Sequence, residues 1–162
     1  MRKHFSLILS GLLFGPVQAT TLDFLGKGEE RPIGRSLEFV VDTAGLDAAS
    51  ILAKGAFTPV GADVPNLGIS KSTTWFKLDI HNKSSEPHLL LTVAYADIDR
   101  IDLFETTIGT PVLLGSRGQE QGSIRGSSNG DDYVFKLDLG SNGTKQYLLA
   151  IRGHKQIHVP IL

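Results

Sequence analysis

Two stretches of this chain alternate apolar and polar side chains with a period of two, and no other feature restricts its fold as much. In Phe76-Lys77-Leu78-Asp79-Ile80-His81, the side chains of Phe76, Leu78 and Ile80 share one face, and those of Lys77, Asp79 and His81 the other. Tyr133-Val134-Phe135-Lys136-Leu137-Asp138-Leu139 repeats the pattern, with Tyr133, Phe135 and Leu137 on the apolar side. A helix cannot bury every second residue, so both stretches are predicted to be half-buried strands. Similar short runs occupy Ser36–Val41, His88–Ala94, Ile98–Glu105, Pro111–Leu114, Tyr147–Arg152 and Ile157–Leu162, with turn residues between them. About eight short strands at this spacing predict an all-β fold, a jelly-roll-like antiparallel β-sandwich. One short helix is expected over Leu46–Lys54, closed by Gly55. Thr58–Ser72, broken by Pro59, Gly61, Pro65 and Gly68, reads as irregular. Residues 115–130 read as a long flexible glycine- and serine-rich loop, and Ser141-Asn142-Gly143 as a hairpin-type turn.

The first 19 residues have a different character. A basic start (Met1-Arg2-Lys3-His4) precedes an apolar run from Phe5 to Phe14, then Gly15-Pro16 and the small-x-small site Val17-Gln18-Ala19. The apolar run is too short for the roughly 20 residues that span a bilayer, so residues 1–19 are predicted to be a signal peptide, cleaved to leave Thr20. The domain division is then 1–19 signal peptide, 20–35 a loosely ordered lead-in, and 36–162 a single β-sandwich. Losing Arg2 and Lys3 from 16 basic residues leaves 14 against 17 acidic, a net charge of −3. Such a balance argues against general affinity for nucleic acid. The chain contains no cysteine, which fits a bacterial periplasmic domain held together by its core better than a disulfide-bonded secreted one. Asn82-Lys83-Ser84 and Asn142-Gly143-Thr144 match the glycosylation pattern but read as turn residues.

No catalytic set is assembled in the sequence. It lacks a Gly-x-Ser-x-Gly elbow, a phosphate-binding loop and a cysteine nucleophile. His154 and His158 flank a turn instead of sharing a helix face, and Asp97, Asp99 and Asp102 lack the glycine and distal glutamate of a calcium loop. The expectation is a binding domain with no enzymatic activity, cofactor or metal. Arg117 and Arg125 lie in the glycine-rich segment, where guanidinium groups can hold an anionic ligand with forked hydrogen bonds. Trp75, the only tryptophan, falls by alternation on the polar face with Lys77. Two readings stay open for it: a stacking platform for a sugar, or a plug beneath the Pro65-Asn66-Leu67-Gly68 loop.

Asn66-Leu67-Gly68, then Trp75-Phe76-Lys77-Leu78-Asp79-Ile80-His81-Asn82, then Asp99-Arg100-Ile101-Asp102-Leu103-Phe104 together resemble a bacterial family. It is the type 2 extracellular domain of receptors with seven transmembrane helices and diverse intracellular signalling modules. Arg125 or Arg117 matches that family's loop arginine, Tyr133-Val134-Phe135 the strand after it, and Val159-Pro160-Ile161 the last strand. The resemblance covers about residues 35–162. It implies a jelly-roll sensor domain similar to carbohydrate-binding modules, in the periplasm, with membrane receptor helices C-terminal to it. The expected ligand is a carbohydrate or another small molecule, with Trp75, Lys77, Arg100, Arg117 and Arg125 as candidate ligand-binding residues. The alternative is a free-standing periplasmic carbohydrate-binding module. "IHVPIL" breaks off within an apolar strand, which reads either as a terminal strand or as the edge of an excerpt from a longer receptor.

Overall fold

A computed structural model describes residues 21–26, 30–95, 97–121, 132–154, 156–158 and 160–162. The expected signal peptide, Arg125 and most of the glycine-rich segment lie outside the described residues. Eleven strands and one α-helix follow in chain order among those described. They are β1 (Leu22–Phe24), β2 (Leu37–Asp42), α1 (Ala48–Lys54), β3 (Thr58–Pro59), β4 (Asn66–Ile69), β5 (Thr73–Asn82), β6 (His88–Val93), β7 (Arg100–Glu105), β8 (Val112–Arg117), β9 (Tyr133–Asp138), β10 (Thr144–Arg152) and β11 (Gln156–His158).

The pairing is that of a folded-over hairpin. β7 pairs with β8, β6 with β9 and β5 with β10, each pair antiparallel and each nested inside the next. Wrapping this ribbon around a core brings β10 beside β7 as well. The larger sheet therefore runs β3-β2-β5-β10-β7-β8. β6 and β9 form the facing layer, where Ile161 bridges to Val93 and Leu162 exchanges two hydrogen bonds with Thr92. Consecutive strands from β5 to β7 and from β8 to β10 alternate between layers, as in a jelly roll. The expected jelly-roll-like sandwich with one short helix is the fold observed.

All six residues expected to face inward do so: Phe76, Leu78 and Ile80 from β5, and Tyr133, Phe135 and Leu137 from β9. They meet Ile101, Leu103 and Tyr147 between the layers, and burial there pushes the Tyr147 hydroxyl well above its ordinary pKa. Asn82, at the end of β5, is fully buried and ties the next turn together. Its amide donates to the carbonyls of Glu86 and Gly140, and its side-chain oxygen accepts from the Ser84 N–H and hydroxyl at 2.9 and 2.8 Å. A strand of this pattern ending in asparagine thus gains a built-in turn lock.

Several expectations need correction. The lead-in is not loose throughout, because β1 pairs in parallel with Ile80–Asn82 and Ile33 is buried in the core. β1 continues along the edge of β5 where β2 stops, so residues 22–24 fill a gap that the chain from 36 onward leaves open. Thr58–Ser72 contains β3 and β4, both short and peripheral, positions where proline and glycine are tolerated. Residues 115–117 belong to β8 instead of a loop, since Gly115 lies against Phe135. The Ser141–Gly143 turn joins strands in different layers and is not a hairpin, although Asn142 does take the left-handed conformation (φ 54°). Helix α1 begins at Ala48, with the Asp47 carboxylate capping the Ser50 N–H at 2.8 Å. Gly55 ends it at φ −66°, so left-handed freedom is not what the site demands. A Cβ there would lie 2.5 Å from the Ile51 carbonyl and 2.9 Å from the Phe57 ring.

Candidate functional site

The outward face of the larger sheet holds three of the candidate residues, and its two halves differ sharply. In one half, Trp75 stands beside Val40 of β2 and Ala150 of β10. Helix α1 lies over it, pressing Ala48 and Ile51 onto Trp75, Leu148 and Ala150. The indole is 5 % exposed, and the Phe104 ring packs against it with centroids 5.9 Å apart. Of the two readings of Trp75, the buried plug is the one the geometry matches, but its cover is α1 and not the Pro65–Gly68 loop. The open surface that a stacking sugar needs is absent. The indole N–H is the one buried side-chain polar atom without a hydrogen-bond partner among the described residues, an arrangement that costs stability. Lys77, two residues along the same face, pairs with Glu38 across the strand, and its ammonium sits 5.5 Å from the centre of the Phe57 ring.

The other half is charged. Arg100 and Arg152 are direct cross-strand neighbours on β7 and β10, a repulsive placement unless each has its own acid. Each does. Arg100 donates from Nε to Asp102 at 2.7 Å, and that carboxylate raises the Arg100 pKa further. Arg152 donates to both oxygens of Glu120, at 2.8 and 2.6 Å. His154 Nδ1 meets both oxygens of Asp99, at 2.7 and 2.9 Å, and the Ser116 hydroxyl donates to Asp102. Backbone bonds from Gln119 to the Ile98 carbonyl and from Glu120 to that of Asp99 fasten the turn carrying Glu120 against β7. Gly118 makes that turn possible: it has φ 117°, and a Cβ would lie 2.5 Å from the Asp99 carbonyl oxygen.

Arg117 belongs to neither half. It points into the gap between the layers, with its guanidinium 5.2 Å from the centre of the Phe135 ring and Nη1 on the Ser116 carbonyl at 2.9 Å. The fold thus places Trp75, Lys77 and Arg100 on one face, covers Trp75, neutralises Lys77 with Glu38, and sends Arg117 to the opposite face. Chain order alone does not bring Glu120, Arg152 and His154 to Arg100; only β10 lying beside β7 does. A separate open groove of about 970 Å³ runs beside β6, where Phe24, Arg31, His88, Leu90 and Leu162 contribute to its walls. Among the described residues, no three histidine, aspartate or glutamate side chains gather as a metal set, and no helix is long and apolar enough to cross a membrane.

The ion pairs of the charged half are partly exposed, and exposed pairs of this kind contribute little net energy. No curated protein matches the chain. The family model described as 7TMR-DISM extracellular 2 matches residues 34–162, from the turn before β2 through to the segment in which Ile161 bridges Val93 of β6. The chain therefore belongs to the 7TMR-DISM extracellular 2 family, the extracellular sensor domains of receptors with seven transmembrane helices.

Proposed function

We propose that this protein is the periplasmic ligand-sensing domain of a bacterial membrane receptor, and that it binds a carbohydrate or small carboxylate at the charged end of the larger sheet. The family match over residues 34–162 carries the sensing role. The paired arginines Arg100 and Arg152 support the location, since planar guanidinium groups suit carboxylates and vicinal hydroxyls. Of the candidate residues, Arg100 is the one this reading puts in contact with the ligand, and Lys77 lies two rows away on the same face. The groove beside β6 supports a second location, because its volume suits a small molecule.

Thermal-shift screening of the exported protein against monosaccharides, oligosaccharides and small carboxylates tests this. A bound ligand at 100 times its Kd adds about 2.7 kcal/mol of stability. We expect Arg100→Ala to abolish that shift while changing the ligand-free melting temperature little. A shift that survives Arg100→Ala and is lost with Arg31→Ala places the site in the groove. The gene downstream of Leu162 tests the receptor itself: seven apolar helices support it, and a stop codon supports a free-standing binding module. Mass spectrometry of the exported protein should find its N-terminus at Thr20.

A further inference from the structure

From Asp47 to Phe57 the chain is tied to the rest of the domain by side-chain packing alone. Both ends of this span are pinned. Before it, the Asp42 carboxylate accepts from the Ala44, Gly45 and Leu46 N–H groups, at 2.9, 3.0 and 2.7 Å. After it, Thr58 and Pro59 pair with β2, and the Val60 N–H donates to the Leu37 carbonyl at 3.0 Å. Between these anchors, every hydrogen bond among the described residues stays inside the span, within α1 or at its two caps. What holds α1 down is the packing of Ala48, Ile51 and Phe57 on the sheet, with the Lys77 ammonium over the Phe57 ring. Beneath it Trp75, Leu148 and Ala150 form an apolar cluster distinct from the one between the layers. That cluster contains the indole N–H, which has no partner although Trp75 is only 5 % exposed. Buried donors are nearly always satisfied; here α1 shuts one away from water and offers it no acceptor.

We propose that α1 is a lid, and that the floor beneath it, centred on Trp75, is a ligand site that opens when the lid lifts. A segment pinned at both ends and held by packing alone swings away without breaking a hydrogen bond to the sheet. The strands below cannot separate so cheaply, so the lid opens locally while the sandwich stays folded. The floor selects its ligand. Val40, Leu148, Ala150 and the Phe104 ring are apolar, and the indole supplies one donor. A planar aromatic compound bearing one acceptor matches that surface: its ring takes the place of Ala48 and Ile51, and its acceptor receives the indole N–H. A sugar carries hydroxyls around its whole edge and would leave most of them unpaired on such a floor. The closed form predominates, so the affinity for the ligand is reduced by the fraction of open protein. This site is separate from the charged end of the sheet, and neither depends on the other.

Because the chain has a single tryptophan, its NMR spectrum contains one indole N–H signal, and hydrogen exchange at that signal reads the lid directly. We expect the exchange to respond little to low urea, and to be unchanged by Leu78→Ala, which weakens the sandwich and not the lid. The Leu149 amide, at the centre of β10, should exchange faster under both changes. Ile51→Ala should speed the indole exchange by about tenfold or more. An indole signal that follows Leu149 in its urea response opens only when the whole domain unfolds, which overturns the lid, as does a rate that Ile51→Ala leaves unchanged. Acetophenone, a flat ring with one carbonyl acceptor, should move the indole proton downfield to saturation, and glucose should not. Ile51→Ala should tighten acetophenone binding by the factor by which it speeds the exchange, since both follow the open fraction. No saturable shift in either protein overturns the site, and so does a shift without that tightening. A shift that glucose produces as well overturns the ligand class.

Discussion

Replacing Trp75 with alanine is the sharpest test of how the outward face is built. An indole of this kind buries about 150–250 Å², which at about 25 cal/mol per Å² gives roughly 4–6 kcal/mol, an upper bound because unfolded chains are partly compact. Against this stands the buried indole N–H without a partner, which costs about 1–3 kcal/mol. The expected loss is therefore about 3 kcal/mol, at the low end of the range for tryptophan-to-alanine changes in cores. Trp75→Phe removes the unpaired N–H while keeping a ring against Phe104 and Ile51, so its cost should stay under about 1.5 kcal/mol. Urea unfolding followed by far-ultraviolet circular dichroism measures both, since the variants no longer contain tryptophan. In the unmodified protein the single tryptophan should emit at a blue-shifted wavelength and resist acrylamide, and Ile51→Ala in α1 should make it more quenchable. A Trp75→Ala loss within about 0.5 kcal/mol, the range of surface changes, refutes the reasoning, as does red-shifted, readily quenched emission.

Three other outcomes are expected. Leu78→Ala, inside the sandwich, should cost about 2–5 kcal/mol in the same unfolding assay, and a negligible loss would mean that the inward face of β5 is misassigned. Gly118→Ala should destabilise by about 1–3 kcal/mol, because its φ of 117° and the approach of its Cβ to the Asp99 carbonyl both oppose a side chain; a neutral result would contradict the tight turn behind the charged half. The Asp47 carboxyl is held below its usual pKa by the Ser50 N–H it accepts, so its charge contributes stability above the unfolded value of about 3.9 and loses it as pH falls through the lower folded value. The melting-temperature gap between the protein and Asp47→Asn should accordingly be constant near neutrality and close below about pH 4, whereas a gap that widens with acid would reverse the sign of the argument.

The amino-acid sequence determined the strands and their inward faces, because a period of two leaves one way to bury Phe76, Leu78 and Ile80 or Tyr133, Phe135 and Leu137. It also determined the helix, through Asp47 and Gly55, and the family, through the order of short motifs spread along the chain. One further signal was present. In Tyr147-Leu148-Leu149-Ala150-Ile151 the alternation stops and every residue is apolar, the mark of a strand covered on both faces. That run, which becomes the centre of β10, already required something to lie over Leu148 and Ala150, and therefore over Trp75 beside them. What the sequence did not contain was the identity of that cover, or the grouping of Arg100 with Arg152, Glu120 and His154. Both depend on which strands become neighbours when the nested hairpin folds over. Strand neighbours are set by contacts between residues far apart in the chain, such as Arg100 and Arg152, and local periodicity carries no record of them. The same closure leaves β8 at the edge of the larger sheet, and so turned an ordinary apolar strand into an exposed one.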